Sequence, residues 1–196
     1  MLTRTFNTFS NSNLKEIEKL VWDFFQQGVK NKKSSFHYPA IASISKKSLN
    51  LRTVILRKVL REDRMLFFYT DYRSNKVQEI KTNNLVLLHV YDKKNNIQIQ
   101  AKGKAKIIHK AKLNQIIWNS MSEHSKLAYM FDKSPGKKIT NENDIGYLNQ
   151  EEGFKNFTII KMKVNKITFL KLNCQGNKKA LFEYSNKTFN YFWLVP

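Results

Sequence analysis

One short stretch of the chain combines the side chains that bind phosphate groups. Residues 67–70 are aromatic and hydroxyl-bearing, and Arg73, Ser74 and Lys76 follow them closely. The apolar residues after Lys76 have helical spacing, so the pattern predicts a strand that leads into the start of a helix. Backbone N–H groups, hydroxyls and two cations would converge at the positive end of that helix. We therefore expect this segment to bind a phosphorylated small molecule.

The net charge suggests a second kind of partner. A formal charge of +20 on 196 residues is typical of proteins that bind nucleic acid or acidic membranes. However, the cations are 29 Lys against 6 Arg, and the lysines are spread from Lys15 to Lys187 in ones and twos. Codon bias explains this pattern better, because phosphate recognition tends to be patchy and rich in Arg. Nucleic acid is therefore the disfavoured hypothesis.

Size and composition restrict the remaining possibilities. A chain of 196 residues, 41% hydrophobic, is long enough for one domain with a proper core. The single cysteine, Cys174, excludes an intrachain disulfide, and the four histidines lack metal-ligand spacing, so no metal site is predicted. No apolar run approaches the roughly 20 residues that span a bilayer, and residues 1–12 do not resemble a signal peptide. We expect a cytoplasmic protein without a membrane partner.

The periodicity of apolar residues predicts a mainly β fold. A capping box at Asn13–Glu16 begins an amphipathic helix that ends near Gly28, and further helices are expected from the phosphate-binding segment to Asn84 and over 110–131. Residues 132–153 are expected to form a long loop, and Lys46-Lys47-Ser48 a hairpin turn. Strands are predicted over about 36–45, 49–60, 64–70, 85–91, 97–109, 157–164, 166–172, 179–185 and 188–195.

These elements indicate an α+β fold, mainly β, in which an antiparallel barrel carries helices on its outside. The strands follow no strict βαβ rhythm, which argues against a parallel sheet. We predict a single domain in which residues 1–30 supply a helix that packs on the barrel. Residues 31–196 would form the barrel itself.

Three segments, in this order, resemble the pyridoxamine 5′-phosphate oxidase family of FMN-binding split barrels. They are the Arg-Thr-Val-Ile-Leu-Arg strand at 52–57, the cluster at 69–76, and the Gln-Ile-Gln-Ala-Lys-Gly-Lys-Ala strand at 98–105. Lys179-Ala180-Leu181-Phe182 and the closing Trp193-Leu194-Val195-Pro196 also match the family pattern. The resemblance covers residues 36–196 and implies a homodimer with two FMN molecules at its interface.

The resemblance also implies a role for each matching position. Arg52 and Lys76 would bind the FMN phosphate with help from Arg73 and Ser74, and Arg57 would face a small-molecule substrate. The other implied flavin contacts are the main chain of Thr53, Val54, Ile55 and Leu56 along the ring, Tyr69 and Thr70 at the ribityl chain and phosphate, Gln98 from the second subunit, and Lys179 near the ring.

The chain departs from the family where vitamin B6 would bind. Gln175 and Asn177 stand in place of the Arg-x-His pair that holds the substrate, and Asn75 replaces a usual Arg of the phosphate cluster. Arg73 could compensate for that Arg from two residues earlier. The sequence thus predicts an FMN-dependent oxidoreductase with an unknown substrate and no single catalytic side chain. A flavin-binding sensor without turnover and a basic nucleic-acid-binding barrel are the alternatives.

Overall fold

The computed structural model describes residues 13–45, 48–185 and 188–196, and its nine strands form one antiparallel sheet that closes around a core. The order of pairing is β2-β1-β5-β6-β7-β4-β3, with β8 on β7 and β9 on β8. The strands are β1 Ala40–Ile44, β2 Leu49–Thr53, β3 Leu56–Leu60, β4 Met65–Asp71, β5 Leu85–Asp92, β6 Ile97–Ile108, β7 Phe157–Lys171, β8 Lys178–Tyr184 and β9 Phe189–Leu194. The predicted fold class is confirmed.

In the described part of the chain, five α-helices accompany the sheet: α1 Leu14–Lys30, α2 Asn75–Thr82, α3 Lys112–Ser120, α4 Glu123–Leu127 and α5 Gln150–Asn156. The capping box of α1 forms as predicted, since Asn13 Oδ1 accepts from the Glu16 N–H at 3.0 Å and Glu16 Oε2 accepts from the Asn13 N–H at 3.2 Å. No helix of the described residues is both long and apolar enough to cross a membrane. The division of the domain at residues 30 and 31 stays a prediction.

The buried side chains form two clusters, one on each face of β4 and β7. The larger fills the barrel and includes Trp22 and Phe25 of α1 together with Phe68 of β4. The smaller contains Phe67, Trp118, Tyr129, Phe157 and Ile159, so it packs the outer face of β4 and β7 against α3 and the segment after α4. Because alternate residues of a strand point to opposite faces, Phe67 and Phe68 enter different clusters.

The structure differs from the predicted elements in five places. Residues 35–37 form a 3-10 helix, and the predicted strand 49–60 is divided because the Val54 N–H donates to Pro39 O at 2.9 Å. The helical segment 110–131 is divided into α3 and α4. The two strands predicted at 157–172 are one strand, β7. Its pairing with β6 shifts by one residue between Lys102 and Gly103, so β7 has an extra residue there and the pairing continues on both sides.

The fifth difference is α5, which lies mostly inside the segment predicted to be a loop. The Asn149 side chain accepts from the Glu152 N–H at 2.9 Å and caps this helix. An Asn followed three residues later by Glu is a recognised helix start, so the sequence does carry a signal for α5. The hairpin between β1 and β2 is present, but residues 46 and 47 of its predicted turn lie outside the described residues.

Six lysines that are distant in sequence face one another across β6 and β7. The cross-strand pairs are Lys102 with Lys166, Lys104 with Lys163, and Lys106 with Lys161. The buried residues of β6 alternate with these lysines, so all three pairs lie on the face opposite the barrel core. Like charges directly opposite in an antiparallel pair destabilise it. Glu183 offsets one pair, since it forms an ion pair with Lys166 at 2.8 Å. The other two pairs place like charges opposite each other, which the dispersed lysines of the sequence do not reveal.

We expect Lys106→Glu to stabilise the fold by about 0.5 kcal/mol, because it replaces a like-charge pair with an opposite-charge pair. Urea unfolding at low ionic strength measures the gain, which should shrink in about 0.5 M salt because salt screens exposed charges. Lys138→Glu, in an exposed segment, makes the same change in net charge and is the control. Equal effects from both variants would attribute the gain to net charge alone.

Candidate cofactor site at the start of helix α2

A buried carboxylate on α2 organises the first part of the site. Glu79 is 8% exposed and accepts a hydrogen bond from Arg52 Nη2 at 2.8 Å, from Ser43 Oγ at 2.5 Å and from Asn50 Nδ2 at 2.8 Å. Arg52 also donates to Ser43 Oγ and to Asn50 O. The network connects α2 to β1 and β2. It holds the Arg52 guanidinium on the inner side of β2, where it is still partly exposed.

Among the described residues, Lys76 forms no ion pair with a carboxylate of its own. Its Nζ donates to Thr70 Oγ1 at 3.1 Å. Asp71 and Glu79 act on it electrostatically, but each already forms an ion pair with an arginine. Burial lowers the pKa of the Lys76 ammonium, and the nearby Arg52 lowers it further. A half-buried ammonium beside a second cation is an environment that an anion would stabilise.

The start of α2 adds backbone donors to these cations. Ser74 occupies the N-cap position, but its hydroxyl donates to Asp71 O at 2.7 Å and makes no capping hydrogen bond. The first N–H groups of the helix are thus left without that side-chain acceptor. Uncapped N–H groups at the positive end of a helix dipole bind anions. The start of α2 therefore places backbone donors beside the Lys76 ammonium, as expected from the sequence, and phosphate binding there stays a prediction.

Arg73 lies in the same turn, yet its guanidinium is directed to other partners. Nε donates to Asp71 Oδ1 at 3.1 Å and Nη2 to Asp71 Oδ2 at 2.7 Å, which makes a bidentate ion pair. Nη2 also donates to Phe131 O at 2.8 Å and Nη1 to Asp132 O at 3.2 Å. Arg73 therefore connects the turn to the segment after α4 and presents little free guanidinium.

Arg57 borders the site from β3. The register between β3 and β4 shifts between Leu56 and Lys58, which places Arg57 in a bulge. Bulges re-aim side chains and are frequent next to active sites. The Arg57 guanidinium lies over the Tyr69 ring, 5.6 Å from its centroid, and its Nε is buried without a hydrogen-bond partner among the described residues. This cation is available for an acceptor on a ligand.

Tyr129 also lies near Arg57, and the sequence did not assign it to the site. Its ring packs edge-on against Phe157 with the centroids 5.1 Å apart, and burial raises the pKa of its hydroxyl to about 12. Burial likewise raises the pKa of Tyr69, while Arg57 opposes that rise. Both phenols are neutral at pH 7, so they can donate a hydrogen bond to a bound molecule.

Gln98 and Lys179 lie apart from the rest. Gln98 pairs with Leu170, and Leu170 pairs with Lys179, so the three form one cross-strand row. The neighbours of Gln98 along β6, Ile97 and Ile99, are buried in the barrel, which places Gln98 on the outer face. Arg52 lies on the inner side of the sheet. The structure therefore brings Arg52, Thr70 and Lys76 together but does not bring Gln98 and Lys179 to them within one chain.

The predicted main-chain contacts lie at the junction of β2 and β3. Thr53 ends β2 and Leu56 begins β3, so Val54 and Ile55 stand outside both strands. Sequence analysis missed four further residues of the site: Ser43, Asn50, Asp71 and Glu79. Asp71 lies within the predicted cluster but was not assigned a role. The other three are recognised only through hydrogen bonds between distant elements.

Residues 19–109 match the family model described as pyridoxamine 5′-phosphate oxidase, FMN-binding domain. Over these residues the chain is therefore similar to the FMN-binding domain of the pyridoxamine 5′-phosphate oxidases. The matched region holds every predicted family position from Arg52 to Gln98 and excludes Lys179. No curated protein gives a significant match to the sequence.

Two solved structures share the fold across almost the whole chain. A pyridoxamine 5′-phosphate oxidase-related, FMN-binding protein from Nostoc punctiforme PCC 73102 is 16% identical, with a TM-score of 0.75 over 94% of this chain and 100% of its own. PhzG from Burkholderia lata 383, solved in complex with tetrahydrophenazine-1-carboxylic acid, is 13% identical, with a TM-score of 0.72 over 100% of this chain and 98% of its own. At these identities, the likeness establishes the fold.

The described residues fit the phosphate end of FMN. Lys76 lacks a carboxylate partner, the N-terminus of α2 is uncapped, and Thr70 supplies a hydroxyl beside the ammonium. A phosphate dianion would satisfy all three features at once. This donor set suits an anion and has no arrangement of carboxylates that would select a metal ion instead.

Proposed function

We propose that this protein binds FMN and acts as an FMN-dependent oxidoreductase on a small molecule. The observation that carries the proposal is the half-buried, unpaired ammonium of Lys76 at the uncapped start of α2. FMN, when bound, would supply the redox chemistry by passing hydride or electrons between a substrate and an acceptor. The protein would supply orientation, a dry pocket and positive charge.

Each group of side chains would have a separate task. Lys76 and Arg52 would hold the phosphate, with Ser74 setting the shape of the turn. The main chain at Thr53–Leu56 would lie along the isoalloxazine ring. Arg57 would point from its bulge toward the substrate side, where its free Nε could bind an acceptor atom. Positive charge near the ring favours the reduced, anionic flavin.

A homodimer is the assembly that this proposal requires. Gln98 and Lys179 lie on the outer face of the sheet, away from Lys76, so they could reach a flavin bound to a second copy. The same face exposes large apolar side chains at Leu49, Leu51 and Phe192, which are 71%, 67% and 46% exposed. An exposed apolar surface of this kind is typical of an interaction site.

Absorption spectroscopy of the purified protein tests the flavin directly. We expect flavin bands after incubation with FMN and gel filtration, and light scattering should give about twice the chain mass of 23.2 kDa. Addition of a nicotinamide nucleotide in air should then bleach and restore the bands. A yellow protein without turnover would support the sensor alternative, and a colourless protein would refute flavin binding.

A further inference from the structure

The Arg73 guanidinium makes more hydrogen bonds within the protein than a side chain that binds phosphate would be expected to make. Its bidentate pair with Asp71 uses Nε and one N–H of Nη2, and the carbonyls of Phe131 and Asp132 use two more N–H groups. A guanidinium carries five N–H donors, so one remains. Asp71 is 5% exposed, and its carboxylate neutralises the cation that binds it.

The carbonyls that Arg73 holds belong to the base of a loop, residues 131–148, which we call the clamped loop. Its two ends meet in a bridge between Phe131 and Tyr147. The Asp132 N–H donates to Gly146 O at 3.0 Å, and the Gly146 N–H donates to Asp132 Oδ1 at 2.9 Å. Residues 135–147 are exposed. The loop is therefore closed on itself, and Arg73 fastens its base to the turn before α2.

We propose that Arg73 is a positioning residue that fastens the clamped loop to the phosphate-binding turn, and that it does not bind the FMN phosphate. That FMN is the ligand rests on the proposed function. The fastening role of Arg73 rests on its hydrogen bonds to Asp71, Phe131 and Asp132. Moving the guanidinium to a phosphate would strip the buried Asp71 carboxylate of its partner, which is strongly unfavourable. Lys76 can meet the phosphate without such a loss.

The proposal links the cofactor turn to the loop that would border the substrate. Tyr129 lies two residues before the clamped loop, and its carbonyl accepts from Asn156 Nδ2 at 3.0 Å. Asn156 O in turn accepts from the Tyr72 N–H at 2.7 Å. The turn is thus joined to the chain before the loop through Tyr72 as well as to the loop base through Arg73. Movement of the loop base would displace the Tyr129 ring and the substrate pocket with it.

Two measurements on Arg73→Gln and Lys76→Gln separate fastening from phosphate binding. The first is the ratio of the dissociation constants of riboflavin and FMN, which reports the contribution of the phosphate alone. The second is the rate of tryptic cleavage after Lys133, Lys137 and Lys138 of the clamped loop in the flavin-free protein. Arg73→Lys, which keeps the charge but loses the planar fork, is the conservative variant.

In Arg73→Gln we expect a ratio within about twofold of the wild-type value and cleavage faster by about tenfold. Lys76→Gln should show the reverse, with a ratio lowered about tenfold and unchanged cleavage. Arg73→Lys should loosen the loop while leaving the ratio intact. The double variant Asp71→Asn/Arg73→Gln removes the unpaired carboxylate and should show the same loosening if Arg73→Gln alone fails to fold.

A ratio that falls in Arg73→Gln as it does in Lys76→Gln would overturn the proposal, and so would unchanged cleavage of the loop. If the wild-type protein binds no flavin, the proposed function fails, but the cleavage experiment still decides whether Arg73 fastens the loop. Thermal melts of each variant show whether faster cleavage is local. A general loss of stability would accelerate cleavage throughout the chain and would also contradict the assigned role.

Discussion

Replacing Lys76 with alanine is expected to weaken FMN binding by about ten- to one-hundred-fold. A hydrogen bond to a charged group contributes about 1.5–3 kcal/mol, and each 1.4 kcal/mol is a factor of ten in affinity. Lys76 has a hydroxyl partner and no carboxylate partner, so little else competes for its ammonium. Titration of FMN, followed by quenching of its fluorescence, measures the loss.

Riboflavin and Lys81 provide the controls for this experiment. Riboflavin lacks the phosphate, so its affinity should hardly change in Lys76→Ala. Lys81 lies on the same helix, but its ammonium donates to the Tyr72 hydroxyl at 2.7 Å and lies 4.0 Å from the centroid of that ring. Lys81→Ala should bind FMN as the wild-type protein does. Equal losses in the two variants would mean that net charge, rather than a specific contact, holds the nucleotide.

The lowered pKa of Lys76 gives the same contact a pH signature. In the flavin-free protein, burial and the nearby Arg52 lower the pKa of the Lys76 ammonium below its ordinary value of 10.5. A bound phosphate dianion would favour the protonated form, so binding takes up a proton and FMN affinity should fall as the pH rises through the lowered pKa. In Lys76→Arg the fall should disappear, since guanidinium stays charged.

The sequence predicted those parts of the site that depend on neighbouring residues. The strand Met65–Asp71 and the helix Asn75–Thr82 follow from local periodicity, and so does the position of Lys76 at the junction. The alternation along β6 likewise put Gln98 on the face opposite the buried residues. Such patterns are local because strand and helix periods act over a few residues.

Contacts between distant elements could not be predicted in this way. Arg73 is 58 and 59 residues from the carbonyls that it holds, and Ser43 is 36 residues from Glu79. From the sequence alone, an arginine in a phosphate-like cluster looks like a phosphate ligand. The buried Asp71 carboxylate two residues earlier changes that interpretation, because it forms an ion pair with the Arg73 guanidinium. The facing lysines of β6 and β7 were hidden for the same reason.

Gly103→Ala is expected to destabilise the fold by at least about 3 kcal/mol, because the central pair of strands leaves no room for a side chain. A Cβ at Gly103 would lie 2.1 Å from the carbonyl oxygen of Lys163 and 3.1 Å from Cα of Val164. Both atoms belong to the backbone of β7, next to the register shift, so they cannot move without disturbing the ladder. Urea unfolding followed by circular dichroism measures the effect.

Gly146→Ala is the matched control for this substitution, since the nearest atom to its Cβ would be Asp132 Oδ2 at an ordinary 3.4 Å. We expect it to change stability by less than about 0.5 kcal/mol. Similar unfolding curves for the two variants would mean that β7 can retreat from β6, contrary to the close approach described here. The glycine at this position thus has a physical cause: the bulged β7 backbone occupies the space of the missing side chain.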